Sequence, residues 1–308
     1  MAGNEFSDVR RRLAGAATVN TYRLGSLAAR MMPGPLAAGA AASIGFGSSV
    51  TSPAKRRMVE RHLRRINPQM RGTALRLAVQ QAFDYYARYY VESFRLPTMS
   101  KAAVARPFTI EGWQQVLDGL EQGNGVILAL PHLGGWEWAG RWMTDQGFKM
   151  TVVVEALEPP ELFQWFADLR QDLGMTVVPT GPKAGPAVLK ALRANETVCL
   201  LCDRDLDHSG VDVEFFGERT TLPAGPATLS IRTGAPLLPV GCYFTPRYNG
   251  HHTVVRPPVS THRFGGLRDD VGRVTQELAR ELEFLIRRAP EQWHLFQPNW
   301  PSDPGYDD

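Results

Sequence analysis

At 308 residues, 44% of them hydrophobic and 21% charged, the chain can bury a sizeable core, and its composition excludes a disordered chain, a collagen-like rod and a disulfide scaffold. Its three cysteines (Cys199, Cys202 and Cys242) are a sparse, odd set that fits a reducing compartment. The net charge of +3 conceals an asymmetry: residues 1–110 carry 17 Lys and Arg against 5 Asp and Glu (+12), and residues 111–308 carry 17 against 26 (−9).

The first segment in chain order, residues 5–31, interleaves small apolar residues with arginines and predicts a helix ending at Met31-Met32-Pro33-Gly34-Pro35. No acidic residue lies between Arg10 and Lys55, so this region calls for an anionic partner, either nucleic acid or an anionic membrane surface. Nucleic acid is disfavoured by the lack of a recognised motif or of aromatics interleaved with the basic residues. Arg23 and Arg30 break the apolar run, leaving neither a membrane span of about 18 residues nor a convincing signal peptide. Residues 36–50 are rich in Ala, Gly and Ser and include Leu36, Ile44, Phe46 and Val50. They read either as a shallow insertion among headgroups, with each arginine held by anionic lipid at about 1 kcal/mol, or as a helix packed on the core through its alanines.

Helices follow over 53–66 and 69–95, the second with Leu75, Val79, Phe83, Tyr86, Tyr90 and Phe94 at core-facing spacing. A short edge strand over 108–110 leads to a helix over 113–120 that ends at Gly123. Strands over 125–130, 150–155, 175–179 and 197–202 then alternate with helices over 136–146, 160–173 and 185–194. That alternation means βαβ units and a parallel sheet. Strands over 211–216, 237–244 and 252–255, a helix over 224–233 and a long helix over 267–288 complete the chain. The expectation is one α/β domain over 1–308, a central and mostly parallel sheet flanked by helices, with residues 1–70 as a basic helical extension.

The chemistry concentrates after the strand 125–130. Pro131 ends it, His132 follows, Gly134-Gly135 turns the chain, and Trp136-Glu137 opens a helix. Ligands of open α/β sheets bind at the carboxyl ends of strands. His132 is therefore a candidate general base, with Glu137 as a candidate orienting partner. Other strand ends gather Glu155, Thr180-Gly181 and Asp203-Arg204-Asp205 at the same edge, and Asp203 is an alternative partner for the imidazole. There is no Gly-x-Ser-x-Gly elbow, Walker loop, Gly-x-Gly-x-x-Gly or His-Glu-x-x-His. No metal, cofactor or covalent Ser or Cys intermediate is therefore expected. Cys199-x-x-Cys202 falls inside a strand, where residues three apart point to opposite faces. His251-His252 reads as an exposed hairpin turn.

The sequence Pro131-His132-Leu133-Gly134-Gly135-Trp136-Glu137 resembles the His-x4-Asp/Glu signature of the glycerolipid acyltransferases. Phe215-Phe216-Gly217, Leu222-Pro223-Ala224-Gly225-Pro226-Ala227, Thr233-Gly234-Ala235-Pro236, Pro290-Glu291-Gln292-Trp293 and Trp300 extend the likeness. Over residues 75–300 it is similar to the branch of lipid A late acyltransferases and phosphatidylinositol mannoside acyltransferases. Asp203-Arg204-Asp205-Leu206 and the lack of an anchor resemble its actinobacterial members.

The resemblance implies transfer of a long, palmitoyl-like acyl group from acyl-CoA, a co-substrate, to the 6-hydroxyl of a mannose of phosphatidylinositol mannosides. Another glycolipid or a lysophospholipid is the alternative acceptor. The enzyme would work as a peripheral protein on the cytoplasmic face of the cell membrane, with no nucleic acid. His132 would be the base, Asp203 its acidic partner, and Glu137 a brace for the turn, with donors around Gly134-Gly135 for the oxyanion. Arg170 would hold a phosphate, with Ser209, Arg232 and Glu155 at the rim. Trp136, Trp138, Phe215 and Phe216 would line an acyl groove, where each buried methylene contributes about 0.8 kcal/mol.

Overall fold

A computed structural model describes residues 19–156, 158–205 and 208–306. The first fourteen residues of the predicted helix 5–31 lie outside these. Residues 19–31 are helical (α1), followed by α2 (Gly34–Thr51), α3 (Pro53–Ile66) and α4 (Gly72–Arg95). Pro35 and Pro53 sit in the first turns of α2 and α3, where the missing N–H costs nothing. α2 lies on α4 through Ala37, Ala41, Gly45 and Ser49, buried residues spaced one turn apart. The opposite side of α2 leaves Leu36, Ile44, Phe46 and Val50 in solvent. Both readings of 36–50 therefore hold a part: the segment packs through small residues and still presents an apolar outer face.

The sheet is built from β1 (Phe108–Glu111), β2 (Val126–Leu130), β3 (Met150–Val154), β4 (Met175–Pro179), β5 (Thr197–Leu201), β8 (Leu237–Phe244) and β9 (His251–Val255). Its order is β1-β9-β8-β2-β5-β3-β4, with every pair parallel except β8 and β9. This is the mostly parallel α/β architecture that the alternating pattern implies. β2 and β8 are buried along their whole length, which is why they read as unbroken apolar runs. α6 (Trp113–Glu121), α7 (Trp136–Asp145), α8 (Pro160–Asp172), α9 (Ala184–Arg193), α10 (Gly225–Thr233) and α11 (Leu267–Arg287) complete the layers. The stripe Val271, Val274, Leu278, Leu282, Leu285 and Ile286 buries α11 against β6 (Val211–Phe215) and β8. Each such side chain contributes roughly 1.5–3 kcal/mol on leaving water.

Two elements were missed in the sequence. A short helix, α5 (Lys101–Ala105), is capped by Ser100, whose hydroxyl accepts from the Ala103 N–H. A strand, β7 (Glu218–Leu222), pairs antiparallel with β6 (Val211–Phe215) across Phe216-Gly217, both at positive φ. Its charged start, Glu218-Arg219, hides a strand whose buried face carries only Thr220 and Leu222. A third correction concerns His251. It lies within β9, not in a turn, and is buried, stacked on Trp138 and bonded to Glu92 at 2.8 Å.

Candidate active site

Strand register brings the central pair together. β2 and β5 are adjacent and parallel, with Leu130 opposite Leu201. Two residues beyond those ends stand His132 and Asp203, across neighbouring strands about 4.8 Å apart. Pro131 donates no N–H, and Cys202 continues the ladder by donating its N–H to the Leu130 carbonyl at 3.0 Å. Asp203 Oδ1 then lies 2.6 Å from His132 Nδ1, and Asp203 Oδ2 accepts the His132 backbone N–H at 3.0 Å and the Trp293 indole N–H at 2.6 Å. Asn299 holds the Asp203 carbonyl at 3.1 Å.

Asp203 is fully buried. Burial alone would raise its pKa, but the His132 imidazole and the donors from Trp293 and the His132 backbone outweigh burial and lower it to about 2. An ionised carboxylate only accepts hydrogen bonds, so the neutral imidazole carries its proton on Nδ1 and keeps a lone pair on Nε2. With its side chain 17% exposed, His132 remains reachable. Trp136 meets the imidazole edge-on at 5.6 Å.

Glu137 faces a different partner. Its Oε1 accepts from Arg170 Nη2 at 2.6 Å and Nε at 3.0 Å, and from the Tyr89 hydroxyl at 3.1 Å. No hydrogen bond joins it to His132 among the described residues, which corrects the reading of Glu137 as the imidazole's partner. Arg170 is corrected with it. Its side chain is 14% exposed, and although partial burial favours loss of charge, Glu137 and Tyr89 raise its pKa. It locks the start of α7 to the end of α8 and is not a free anion site.

The turn between β2 and α7 is fixed from several sides. Gly134 adopts φ +60°, and a Cβ there would meet the backbone of Cys242 and Tyr243. Its N–H donates to the Gln292 carbonyl at 3.0 Å and its carbonyl lies 3.1 Å from His294 Nε2. The Gly134 amide is thus committed and cannot serve an oxyanion. No described residue accepts the N–H groups of Gly135, Trp136 or Glu137, which open α7 beside His132. Burial, the main cause, lowers the pKa of His294 to about 3, so it is neutral and donates from Nε2.

The remaining candidates separate. Glu155 follows β3 at the same edge and pairs with Arg204 at 3.0 Å, and Ser209 is exposed in the loop from β5 to β6. Arg232 lies elsewhere: α10 ends at Gly234 beside Asn124, which precedes β2, so Arg232 sits at the amino-terminal edge of the sheet. Phe215 and Phe216 are also corrected. Both are core residues packed on Trp293 and Trp300, and their rings support the Asp203 side of the site from behind.

An apolar crevice starts beside Trp136, Glu137 and Arg170 and runs between α7 and the sheet to Phe108, Trp113 and Trp142. Its cavity volume is only about 50 Å³, so it is a slit. Phe108 and Trp142 stack at 4.8 Å along it, with Trp113 edge-on to Trp142. The spacing from Trp136 to Trp142 along α7 is about 9 Å. Trp138, expected in such a groove, instead faces His251 and donates to the Val104 carbonyl.

Trp293, Tyr89 and His294 are the contributors that carried no role in the sequence reading. Trp293 stands in a quoted motif, but its donor target is visible only once the chain terminus folds back to β5. Tyr89 falls one position off the aromatic stripe of α4, and that offset was its only signal.

Among the described residues, no helix is long and apolar enough to cross a membrane. A family model described as bacterial lipid A biosynthesis acyltransferase matches residues 8–302. A phosphatidylinositol mannoside acyltransferase of Mycolicibacterium smegmatis is 35% identical over 297 residues, covering 94% of each chain. One of Mycobacterium tuberculosis is 40% identical over 227 residues, covering 72% of this chain and 70% of the relative.

Proposed function

Because the chain belongs to the bacterial lipid A biosynthesis acyltransferase family, we propose that it moves a long acyl group from acyl-CoA to the 6-hydroxyl of a mannose of phosphatidylinositol mannosides. The observation that carries the mechanism is the His132 Nδ1–Asp203 contact of 2.6 Å, which leaves Nε2 as the proton acceptor. Nε2 takes the proton of the sugar hydroxyl as its oxygen attacks the thioester carbonyl carbon. The tetrahedral intermediate collapses, the carbon–sulfur bond breaks, and the imidazolium returns its proton to the departing coenzyme A thiolate. Asp203 fixes the tautomer and stabilises the imidazolium between these steps.

The oxyanion is assigned to the first-turn amides of α7, where unpaired N–H groups and the helix dipole favour negative charge. The acyl chain is assigned to the crevice under α7, which is lined by Trp136, the ring that meets His132 edge-on. Glu137 and Arg170 hold that part of the lining in place. Glu155 and Ser209 are assigned to the acceptor side of the rim. Residues 1–70, as a basic extension of a single domain, rest on the anionic cytoplasmic face of the membrane, where the apolar outer face of α2 meets lipid.

Mass spectrometry of a reaction containing the protein, palmitoyl-CoA and phosphatidylinositol mannoside tests the reading. The expected product is a mannoside heavier by one palmitoyl group, with one free coenzyme A thiol per transfer. Absence of that product, or palmitoylation of an added lysophospholipid in its place, overturns the assigned acceptor.

A further inference from the structure

A second cavity lies on the far side of α4 from His132. Its floor is Asp84, Arg88, Glu92 and Arg95 of α4, its wall is Ala38 and Ala42 of α2, and its roof is the loop between β8 and β9. It is far roomier than the crevice, with about 320 Å³ open to a water-sized sphere. The alanines make this room.

The cavity's cations divide into committed and free. Arg88 is bonded to Glu92 at 2.7 Å and to the carbonyls of Thr245 and Gly250. Arg95 donates to the Tyr248 hydroxyl at 2.7 Å and to the Met32 carbonyl, and Arg247 is exposed on the roof. Among the described residues no carboxylate lies within ion-pair distance of Arg95 or Arg247. Two acceptors also face this space. Among the described residues, Asn249 Oδ1 is buried with no donor, and the Asp84 carboxyl, bonded to Gln80, has its pKa raised by burial. A ligand that complements the cavity carries an anion for the two arginines and hydroxyls for the two acceptors.

The helix that forms the wall shows where such a ligand comes from. Ala38, Ala42, Phe46 and Val50 are spaced four apart, so they form one ridge of α2. The ridge begins as the cavity wall and continues as Phe46 (63% exposed) and Val50 (65% exposed). A molecule seated in the cavity thus has a large apolar surface beside its mouth. We propose that the cavity between α2, α4 and the β8–β9 loop binds the polyhydroxylated phosphodiester headgroup of a bilayer phospholipid, while Phe46 and Val50 contact its acyl region. This rests on the membrane-surface part of the proposed function but not on its chemistry. It makes the site a membrane-docking pocket separate from the acyl-transfer edge.

The test is vesicle flotation of the full chain with phosphatidylcholine vesicles, with and without phosphatidylinositol. Three variants are compared: Arg247→Ala, which removes a cavity charge; Ala42→Trp, which fills the cavity without changing charge; and Arg193→Ala, which removes an exposed charge outside both the cavity and the basic extension. Wild type and Arg193→Ala are expected to bind phosphatidylinositol vesicles within about fivefold of each other, at most the effect of one surface charge. Arg247→Ala and Ala42→Trp are expected to bind at least about tenfold more weakly, as for loss of a hydrogen bond to a charged group. Circular dichroism checks that each variant is folded. If Ala42→Trp binds like wild type, the pocket is overturned and the membrane reading stands. If wild type binds no vesicle at all, both fail.

Discussion

His132 and Asp203 occupy matching positions two residues beyond the paired ends of adjacent parallel strands, and their side chains close to 2.6 Å between Nδ1 and Oδ1. Glu137, the acidic member of the sequence signature, is instead spent on Arg170 and Tyr89. The two carboxylates near the histidine thus have different work, one electrostatic and one architectural, and substitutions separate them.

Asp203→Asn keeps the size of the side chain but lets an amide donate to the imidazole, which disfavours the tautomer with a free Nε2. Acyl transfer is expected to fall about 10³–10⁴-fold with little change in fold. Glu137→Ala leaves the mostly buried Arg170 without its partner and is expected to cost about 3–5 kcal/mol of stability, while folded molecules keep most of their activity. Urea unfolding beside acyl-transfer rates distinguishes the two. The reverse pattern would make Glu137 the relay.

Trp293→Phe removes one donor from a buried carboxylate while keeping an aromatic ring against Phe215 and Phe216. A hydrogen bond to a charged group contributes roughly 1.5–3 kcal/mol, so a loss of that size in unfolding free energy is expected. An unchanged urea midpoint would remove Trp293 from the network.

Buried histidines set the acid side of the stability profile. Burial depresses His294 to about 3 and also lowers His251. Below the ordinary histidine value of about 6.5 the unfolded chain takes up these protons before the folded chain does. Stability is therefore lost as pH falls from about 6.5, by up to roughly 1.4 kcal/mol per pH unit for each such group. Asp203 has the opposite pattern. Its contribution is present above the unfolded value of about 3.9 and is lost only as pH falls toward about 2. His294→Gln can still donate to the Gly134 carbonyl and is expected to lose less stability than wild type between pH 7 and pH 5. Parallel urea midpoints in that range would argue against a neutral His294.

The Phe108–Trp142 stretch of the crevice offers a test of chain placement. Trp142→Ala removes the ring stacked on Phe108, at a cost of about 3–5 kcal/mol in stability. It is expected to shift the preferred donor toward longer acyl chains in competition assays with mixed acyl-CoAs. An unchanged length profile would place the chain elsewhere.

Much of this was legible in the sequence because it depends on local pattern. β2 is an unbroken apolar run ending at a proline, so His132 at a strand tip follows from residues 125–132 alone. Asp203 as a candidate partner follows from a second apolar run, 197–202, that gives way to a carboxylate. Which carboxylate pairs with His132 was not legible, because it depends on the adjacency and register of β2 and β5, and on Arg170 arriving from α8 to claim Glu137. The same limit explains Phe215 and Phe216. Two aromatics beside a glycine look alike in a groove or in a core, and only their packing on Trp293 and Trp300 decides. Arg232 failed for a topological reason, since a helix preceding a parallel strand ends at the amino-terminal edge, away from the site.

The most direct test is the single substitution His132→Ala, assayed for palmitoyl transfer from palmitoyl-CoA to phosphatidylinositol mannoside, with its unfolding midpoint measured alongside. Transfer is expected to fall by at least about 10²-fold while the midpoint stays near that of wild type. Transfer at close to the wild-type rate by a folded His132→Ala protein would contradict the assignment of His132 as the base.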